Sequence, residues 1–169
     1  MSETESFLSG KHILAVDDEA DVLETIEELL EESIVDTARD YKGASKKIKE
    51  RRYDLAILDI MGVDGLQLLE EAVDRGIPAV MLTAHAMTPE SLKESIKLGA
   101  VSFLPKEMMA ELDTYLADVI TGSKKMVWRN LLDNLSDYFD RQFGANWKEK
   151  DEFFKKFEEE LQSSKEDPG

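Results

Sequence analysis

Leu55-Ala56-Ile57-Leu58-Asp59, inside LAILDIMGVDG (residues 55–65), is a short apolar run that ends abruptly in a carboxylate. A strand that is apolar on both of its alternating faces suits a parallel sheet covered by helices on both sides. Similar segments lie on either side: HILAV (12–16), IVDTA (34–38), AVMLT (79–83) and VSFL (101–104). Between and after them, apolar residues recur at helical intervals: Val22, Ile26, Leu29 and Leu30; Leu66, Leu69 and Val73; Leu92 and Ile96; Met108, Leu112, Tyr115 and Val119. Thr88-Pro89-Glu90 offers an N-cap residue followed by a proline at the first helical position. Strands that alternate with helices require right-handed crossovers, which predicts an α/β fold with a doubly wound, five-stranded parallel sheet.

Composition narrows the function classes. The 169 residues are 42% hydrophobic and 34% charged, as in a soluble globular protein, and include no cysteine for disulfides or thiolate metal sites. No apolar run is long enough for a bilayer, and MSETESFLSG (1–10) lacks the basic and apolar regions of a signal peptide. A cytoplasmic address with no membrane association is therefore expected, with residues 1–10 disordered. The net charge of −16 argues against direct DNA or RNA binding, which depends on neutralising phosphates with Lys and Arg. Residues 123–169 carry nine basic and eleven acidic side chains, so about −14 of the charge sits on the first 122 residues.

The pattern changes at TGSKK (121–125), which reads as a hinge. Beyond it lie both tryptophans and eight of the thirteen aromatic residues. Trp128, Leu131, Leu132, Leu135, Tyr138, Phe139 and Phe143 recur at helical spacing, and Gly144 supplies a stop. Asn146-Trp147-Lys148-Glu149 resembles a capping box opening a further helix with Phe153, Phe154, Phe157 and Leu161. The expected organisation is an α/β domain over 11–122, a helical extension over 123–162 and a disordered end over 163–169. The aromatic helices must bury themselves somewhere. They would cap the α/β domain, pair into a homodimer or dock a separate effector or kinase.

In open α/β sheets, ligands bind beyond the carboxyl ends of the strands, where strand order reverses. Asp17 and Asp18 follow the first strand, Asp59 closes the third, Thr83 closes the fourth and Lys106 lies past the fifth. Each residue alone is ordinary: turn chemistry for the acids, β-propensity for the threonine, a solvated charge for the lysine. Together they bring every needed chemical type to four strand ends. Three converging carboxylates repel one another unless a cation neutralises them, and an oxygen-only set favours Mg²⁺ beside a phosphoryl group. Lys106 would offset phosphoryl charge and Thr83 would donate a hydrogen bond.

ILAVDDE, LAILDIM, GLQLLE, AVMLTA and FLPK resemble the response-regulator receiver family of two-component signalling over roughly residues 11–121. The resemblance implies a flavodoxin-like strand order 2-1-3-4-5, with Asp59 as phosphoacceptor. It implies Asp18 as a direct Mg²⁺ ligand, Asp17 acting mainly through water, and Met61 lending its backbone carbonyl. Thr83 would be the switch hydroxyl and a phosphate contact, Lys106 the phosphate-contacting lysine, and Phe103 the switch aromatic. Ala84 and His85 would line the rim, and His12 reads as a structural strand residue. The implied partner is a sensor histidine kinase or phosphotransfer protein that phosphorylates Asp59, which would reorganise Thr83 and Phe103 and shift a two-state equilibrium at the face formed by the fourth helix, fifth strand and fifth helix. Two features depart from the family's usual pattern. The loop IMGVDG lacks a Met-Pro pair, leaving Gly62 and Gly65 to make the turn. Pro105 precedes Lys106, and a cis Lys106–Glu107 bond would cost about 2.5–4 kcal/mol. The rival readings are a receiver-like interaction protein regulated by partner binding, and an aspartyl-phosphate hydrolase. The intact acids, Thr83 and Lys106 disfavour the first, and Met61 in place of a second acid disfavours the other.

Overall fold

The five apolar runs pair into one all-parallel sheet of order β2-β1-β3-β4-β5 in the computed structural model, which describes residues 7–84 and 88–163. The strands are β1 (His12–Val16), β2 (Ile34–Ala38), β3 (Leu55–Asp59), β4 (Ala79–Thr83) and β5 (Ser102–Pro105). Every residue of β3 and β4 is buried, as continuous apolar strands demand when helices cover both faces. β2 stands at one edge and is partly exposed. The flanking helices are α1 (Ala20–Leu29), α2 (Tyr41–Glu50), α3 (Gly65–Asp74), α4 (Pro89–Leu98) and α5 (Leu112–Thr121), with a 3₁₀ helix at Lys106–Glu111 leading into α5.

Local chemistry sets the helix ends. Thr88 accepts from the Ser91 N–H while the Ser91 hydroxyl returns a contact to the Thr88 N–H, a closed capping box with Pro89 behind it. Asp40 caps α2 by accepting from the Gly43 N–H at 2.7 Å. The buried side of α3 is Gly65, Leu68, Leu69 and Ala72, so Val73, expected on that face, is instead exposed. Residues 1–10 do not all follow the expectation of disorder. Phe7 and Leu8 are helical, Leu8 is buried, and the Ser33 hydroxyl donates to its carbonyl at 2.6 Å.

Beyond α5 come α6 (Lys124–Asn134), α7 (Ser136–Phe143) and α8 (Glu152–Gln162). The single helical stripe read from Trp128 to Phe143 is two helices bent at Leu135. The bend keeps the bonds Leu135 N–H to Leu131 and Phe139 N–H to Leu135, so the helical phase survives it. Gly144 ends α7 at φ 92°, as expected. The capping box at Asn146–Glu149 does not open a helix. Asn146 is left-handed (φ 65°), and Trp147 is drawn among Phe139, Phe143 and Phe154, where its indole N–H donates to Asp140. α8 starts at Glu152 instead, capped by Asp151 accepting from the Phe153 N–H at 2.8 Å.

The aromatic residues of these helices join the core of the sheet domain. α6 packs on β5, with Trp128 buried and its indole N–H donating to the Ala100 carbonyl at 3.3 Å. Trp128 meets Phe157 edge-on, and the Arg129 Nε donates to the Leu161 carbonyl at 2.8 Å, tying α8 to α6. Of the outcomes open for this segment, capping the α/β domain is the one the fold adopts. Its large apolar residues are then used within the chain: among the described residues of the segment, Met126 is the large hydrophobic left exposed. No described helix is long and apolar enough to cross a membrane.

Candidate functional site

Parallel register brings the strand ends to one rim. Val16 pairs with Leu58, Asp59 with Leu82, and Thr83 with Pro105, so residues at or just past these ends surround a single crevice. It lies where β1 has β2 on one side and β3 on the other, the point at which strand order reverses.

Carboxylate oxygens of Asp17, Asp18 and Asp59 all lie within 4.8 Å of one another, the cluster expected of them. Asp17 is wholly buried, Asp59 is 4% exposed and Asp18 faces solvent. Lys106, the first residue of the 3₁₀ helix, reaches back across the crevice with its Nζ 2.7 Å from Asp17 Oδ2 and 3.3 Å from Asp59 Oδ1. Burial pushes the Asp17 carboxyl above its ordinary value. The Lys106 ammonium and the Glu19 N–H, which donates to Asp17 Oδ1 at 2.9 Å, pull the other way, and Asp59 adds repulsion. Burial also works against the Lys106 charge, but Asp17 and Asp59 outweigh it and raise that pKa, so the ammonium stays charged.

Thr83 is buried at the end of β4, and among the described residues its hydroxyl makes one long contact, 3.4 Å, to the carbonyl of Ala84. Ala84 is exposed at the rim, and His85, expected beside it, lies outside the described residues. Met61 presents its side chain to solvent, so only its backbone carbonyl is left for a role in the crevice. Phe103 is fully buried in β5 and in register with Met81 of β4. His12 begins β1, where its backbone N–H donates to Asp54 at 2.8 Å. Among the described residues every peptide bond is trans, Lys106–Glu107 included.

Two glycines act differently from expectation. Neither Gly62 nor Gly65 has positive φ; the left-handed residue of the loop is Asp64, at φ 55°. What these positions require is the absence of a Cβ. At Gly62 a Cβ would stand 2.3 Å from the Asp18 carboxyl carbon, and at Gly65 it would stand 2.0 Å from the Asp59 carbonyl oxygen. The bare backbone at Gly62 makes room for the Asp18 carboxylate, and its N–H donates to Asp59 Oδ2 at 3.2 Å. Glu19 is a site residue that the sequence reading passed over. Besides its N–H on Asp17, its carboxylate lies 4.0 Å from the Lys106 ammonium. Its place in ILAVDDE, directly after the acid pair, was the available signal.

A family model described as the response regulator receiver domain matches residues 13–117. The chain belongs to the response regulator receiver family. It is 36% identical over 107 residues to the nitrogen assimilation regulatory protein NtrX of Azorhizobium caulinodans, covering 59% of this chain and 23% of that protein. It is 34% identical over 116 residues to the phosphate regulon transcriptional regulatory protein PhoB of Klebsiella pneumoniae, covering 61% of this chain and 50% of the relative. Among solved structures, the Vibrio cholerae chemotaxis protein CheY4 superposes with a TM-score of 0.59 at 27% identity, covering 66% of this chain and 99% of that one. The chain thus spans half or less of these curated relatives. As a receiver domain of two-component systems it is a signalling switch, and its acidic cluster is one that could hold a metal ion. The family match stops at residue 117, before α6.

Proposed function

We propose that this receiver is a phosphorylation-activated switch. Asp59 takes a phosphoryl group, in the presence of Mg²⁺, from the phosphohistidine of a sensor histidine kinase or phosphotransfer protein. An Asp59 carboxylate oxygen forms a bond to phosphorus as the phosphorus–nitrogen bond to histidine breaks, giving an acyl phosphate and a free imidazole. The observation that carries this reading is the nearly buried Asp59 carboxylate at a strand end, with two acids and the Lys106 ammonium around it.

The donor set fits a hard divalent cation. Three carboxylates and one ammonium leave a local charge of −2, and two carboxylate oxygens held within 4.8 Å of one another repel by roughly 3 kcal/mol or more at an effective dielectric near 20. Asp17 Oδ2 is buried and takes its polar contact from the Lys106 ammonium at 2.7 Å. Asp18, Asp17, Asp59 and the Met61 carbonyl would hold Mg²⁺, which when bound offsets carboxylate and phosphoryl charge. The chain's own residues do the rest. Lys106 sits within reach of Asp59 to meet the added negative charge, and the Thr83 hydroxyl would turn towards it. Phe103, buried beside β4, is the residue whose packing would change with Thr83. A cytoplasmic address and action without direct DNA contact by the described domain belong to the same proposal.

Incubation with acetyl phosphate and Mg²⁺ tests it. Intact mass should report one phosphoryl per chain in the wild type and none in folded Asp59→Asn. Equal labelling of that variant refutes the assignment.

A further inference from the structure

The amino ends of the central strands hold a second cluster of charged residues, at the opposite end of the sheet from Asp59. Arg51, Arg52 and Arg75 line a cavity of about 440 Å³ together with Tyr53, Gly76 and Ile77. Residues 51–53 follow α2 and precede β3, and residues 75–77 follow α3 and precede β4, so the cavity lies where these two strands begin. β3 runs five residues from that end to Asp59, which puts about 16 Å of strand between the cavity and the acidic crevice. The chain has six arginines and 37 acidic residues, yet half of the arginines meet here and no acid lines the cavity.

Helix packing accounts for two of the three cations. Arg51 Nη1 donates to Asp36 at 2.7 Å, a carboxylate that also accepts from the Tyr53 hydroxyl at 2.7 Å. Arg75 Nη2 donates at 2.6 Å to the Lys49 carbonyl in the last turn of α2, where a cation suits the helix dipole. Each of these guanidinium groups keeps further N–H donors. The Arg52 guanidinium has no hydrogen-bond or ion-pair partner among the described residues, and two like charges share its cavity. We propose that this cavity binds a small organic phosphate. Guanidinium forks match phosphate oxygens bidentately, and a doubly charged phosphate would offset the uncompensated cations. Tyr53 and Ile77 are buried and give the lining an apolar part, while a Cβ at Gly76 would meet nothing within 4 Å, so the backbone there opens onto free space. The volume falls in the range of small-molecule pockets, roughly 300–1,000 Å³, so inorganic phosphate would leave much of it to water where a carbon skeleton would cover Tyr53 and Ile77. A net charge of −16 repels anions from most of the surface, which makes this basic cavity the place where one is captured. The site is separate from the crevice and does not depend on the state of Asp59.

The experiment titrates the full chain with adenosine monophosphate, ribose 5-phosphate and inorganic phosphate in Mg²⁺-free buffer of fixed ionic strength, read by amide NMR. The amides of Arg52, Tyr53, Gly76 and Ile77 should shift saturably with one or both organic phosphates, and more weakly with inorganic phosphate; which of the two binds more tightly separates a nucleotide from a sugar phosphate. Arg52→Gln removes the cation without a partner, so it should keep the wild-type thermal midpoint and weaken binding about five- to tenfold. Asp59→Asn should bind as wild type does. No saturable shift at these four amides with millimolar organic phosphate overturns the proposal, and so does undiminished binding in Arg52→Gln. Loss of binding in Asp59→Asn would place the ligand in the acidic crevice and overturn it as well. Inorganic phosphate binding as tightly as both organic phosphates overturns the assignment of an organic ligand. A glutamate-rich peptide that binds these amides more tightly than either would make the cavity a protein-docking site and overturn the small-molecule class.

Discussion

Gly62→Ala separates the metal site from the fold. The added methyl would stand 2.3 Å from the Asp18 carboxyl carbon and 2.4 and 2.5 Å from its two oxygens. Ordinary contact begins near 3.4 Å, so the carboxylate must retreat by about 1 Å. Asp18 is exposed, and its side chain can rotate into water, so the cost to stability is within about 0.5 kcal/mol. The cost to cation binding is larger, since the displaced group is one of three clustered carboxylates, and loss of such positioning typically weakens metal affinity 10- to 100-fold. Gly65→Ala provides the contrast. There the methyl meets the Asp59 carbonyl oxygen at 2.0 Å and the Ile60 Cα at 2.8 Å, and backbone cannot rotate away. That variant should lose about 1–3 kcal/mol of stability. The assays are urea denaturation without metal and calorimetric Mg²⁺ titration of the folded protein. A Gly62→Ala protein with wild-type stability and wild-type Mg²⁺ affinity would refute the placement of Asp18 in the metal set. Equal destabilisation by both variants would refute the distinction between a yielding side chain and an unyielding backbone.

Lys106→Met should destabilise the metal-free protein by roughly 3 kcal/mol, because it strands the buried Asp17 and Asp59 carboxylates. The same variant should bind Mg²⁺ more tightly than wild type and regain stability with it, a pair of outcomes read by denaturation at increasing Mg²⁺. A pH series gives an independent check on Asp17. Its carboxyl is raised above its ordinary value chiefly by burial, so protons compete with the cation at higher pH than for an exposed aspartate. Mg²⁺ affinity should be complete above the raised Asp17 pKa and fall as pH drops through it. Metal-free stability follows the opposite sign at this group: a raised carboxyl pKa costs stability once ionised, and acidification through that pKa relieves it. Mg²⁺ affinity that stays flat down to the ordinary aspartate range would show that Asp17 takes no part.

How much of the fold was legible in the sequence depended on how local its causes are. The strands stood out because five-residue apolar runs have no other explanation in a chain this charged, and β3 and β4 match their segments residue for residue. The capping box of α4 was visible in Thr88-Pro89 because capping is settled within four residues. α2 hid because YKGASKKIKE buries only Ala44, Ser45 and Ile48, too few apolar groups to announce a face. The α6–α7 bend hid for the reverse reason, since hydrogen bonding through Leu135 preserves the periodicity on both sides.

The acids, the threonine and the lysine of the crevice were legible as strand-end residues, because in a parallel sheet the end of every strand comes to the same rim. The sequence by itself therefore determined which elements form, in what order they alternate, and which chemical groups arrive at one edge. Tertiary structure alone decided which groups touch. Gly62 is bare because Asp18, 44 positions earlier, swings over it, and no propensity of either residue carries that information. Lys106 settles closest to Asp17, at 2.7 Å against 3.3 Å to Asp59 and 4.0 Å to Glu19, because Asp17 is the wholly buried acid with no water to solvate its charge. The C-terminal helices carried an apolar stripe that fitted several surfaces equally well. Asp151 meets Lys93 across 58 residues because the folded chain brings α4 to the start of α8, and the stripe found its surface only once that neighbourhood existed.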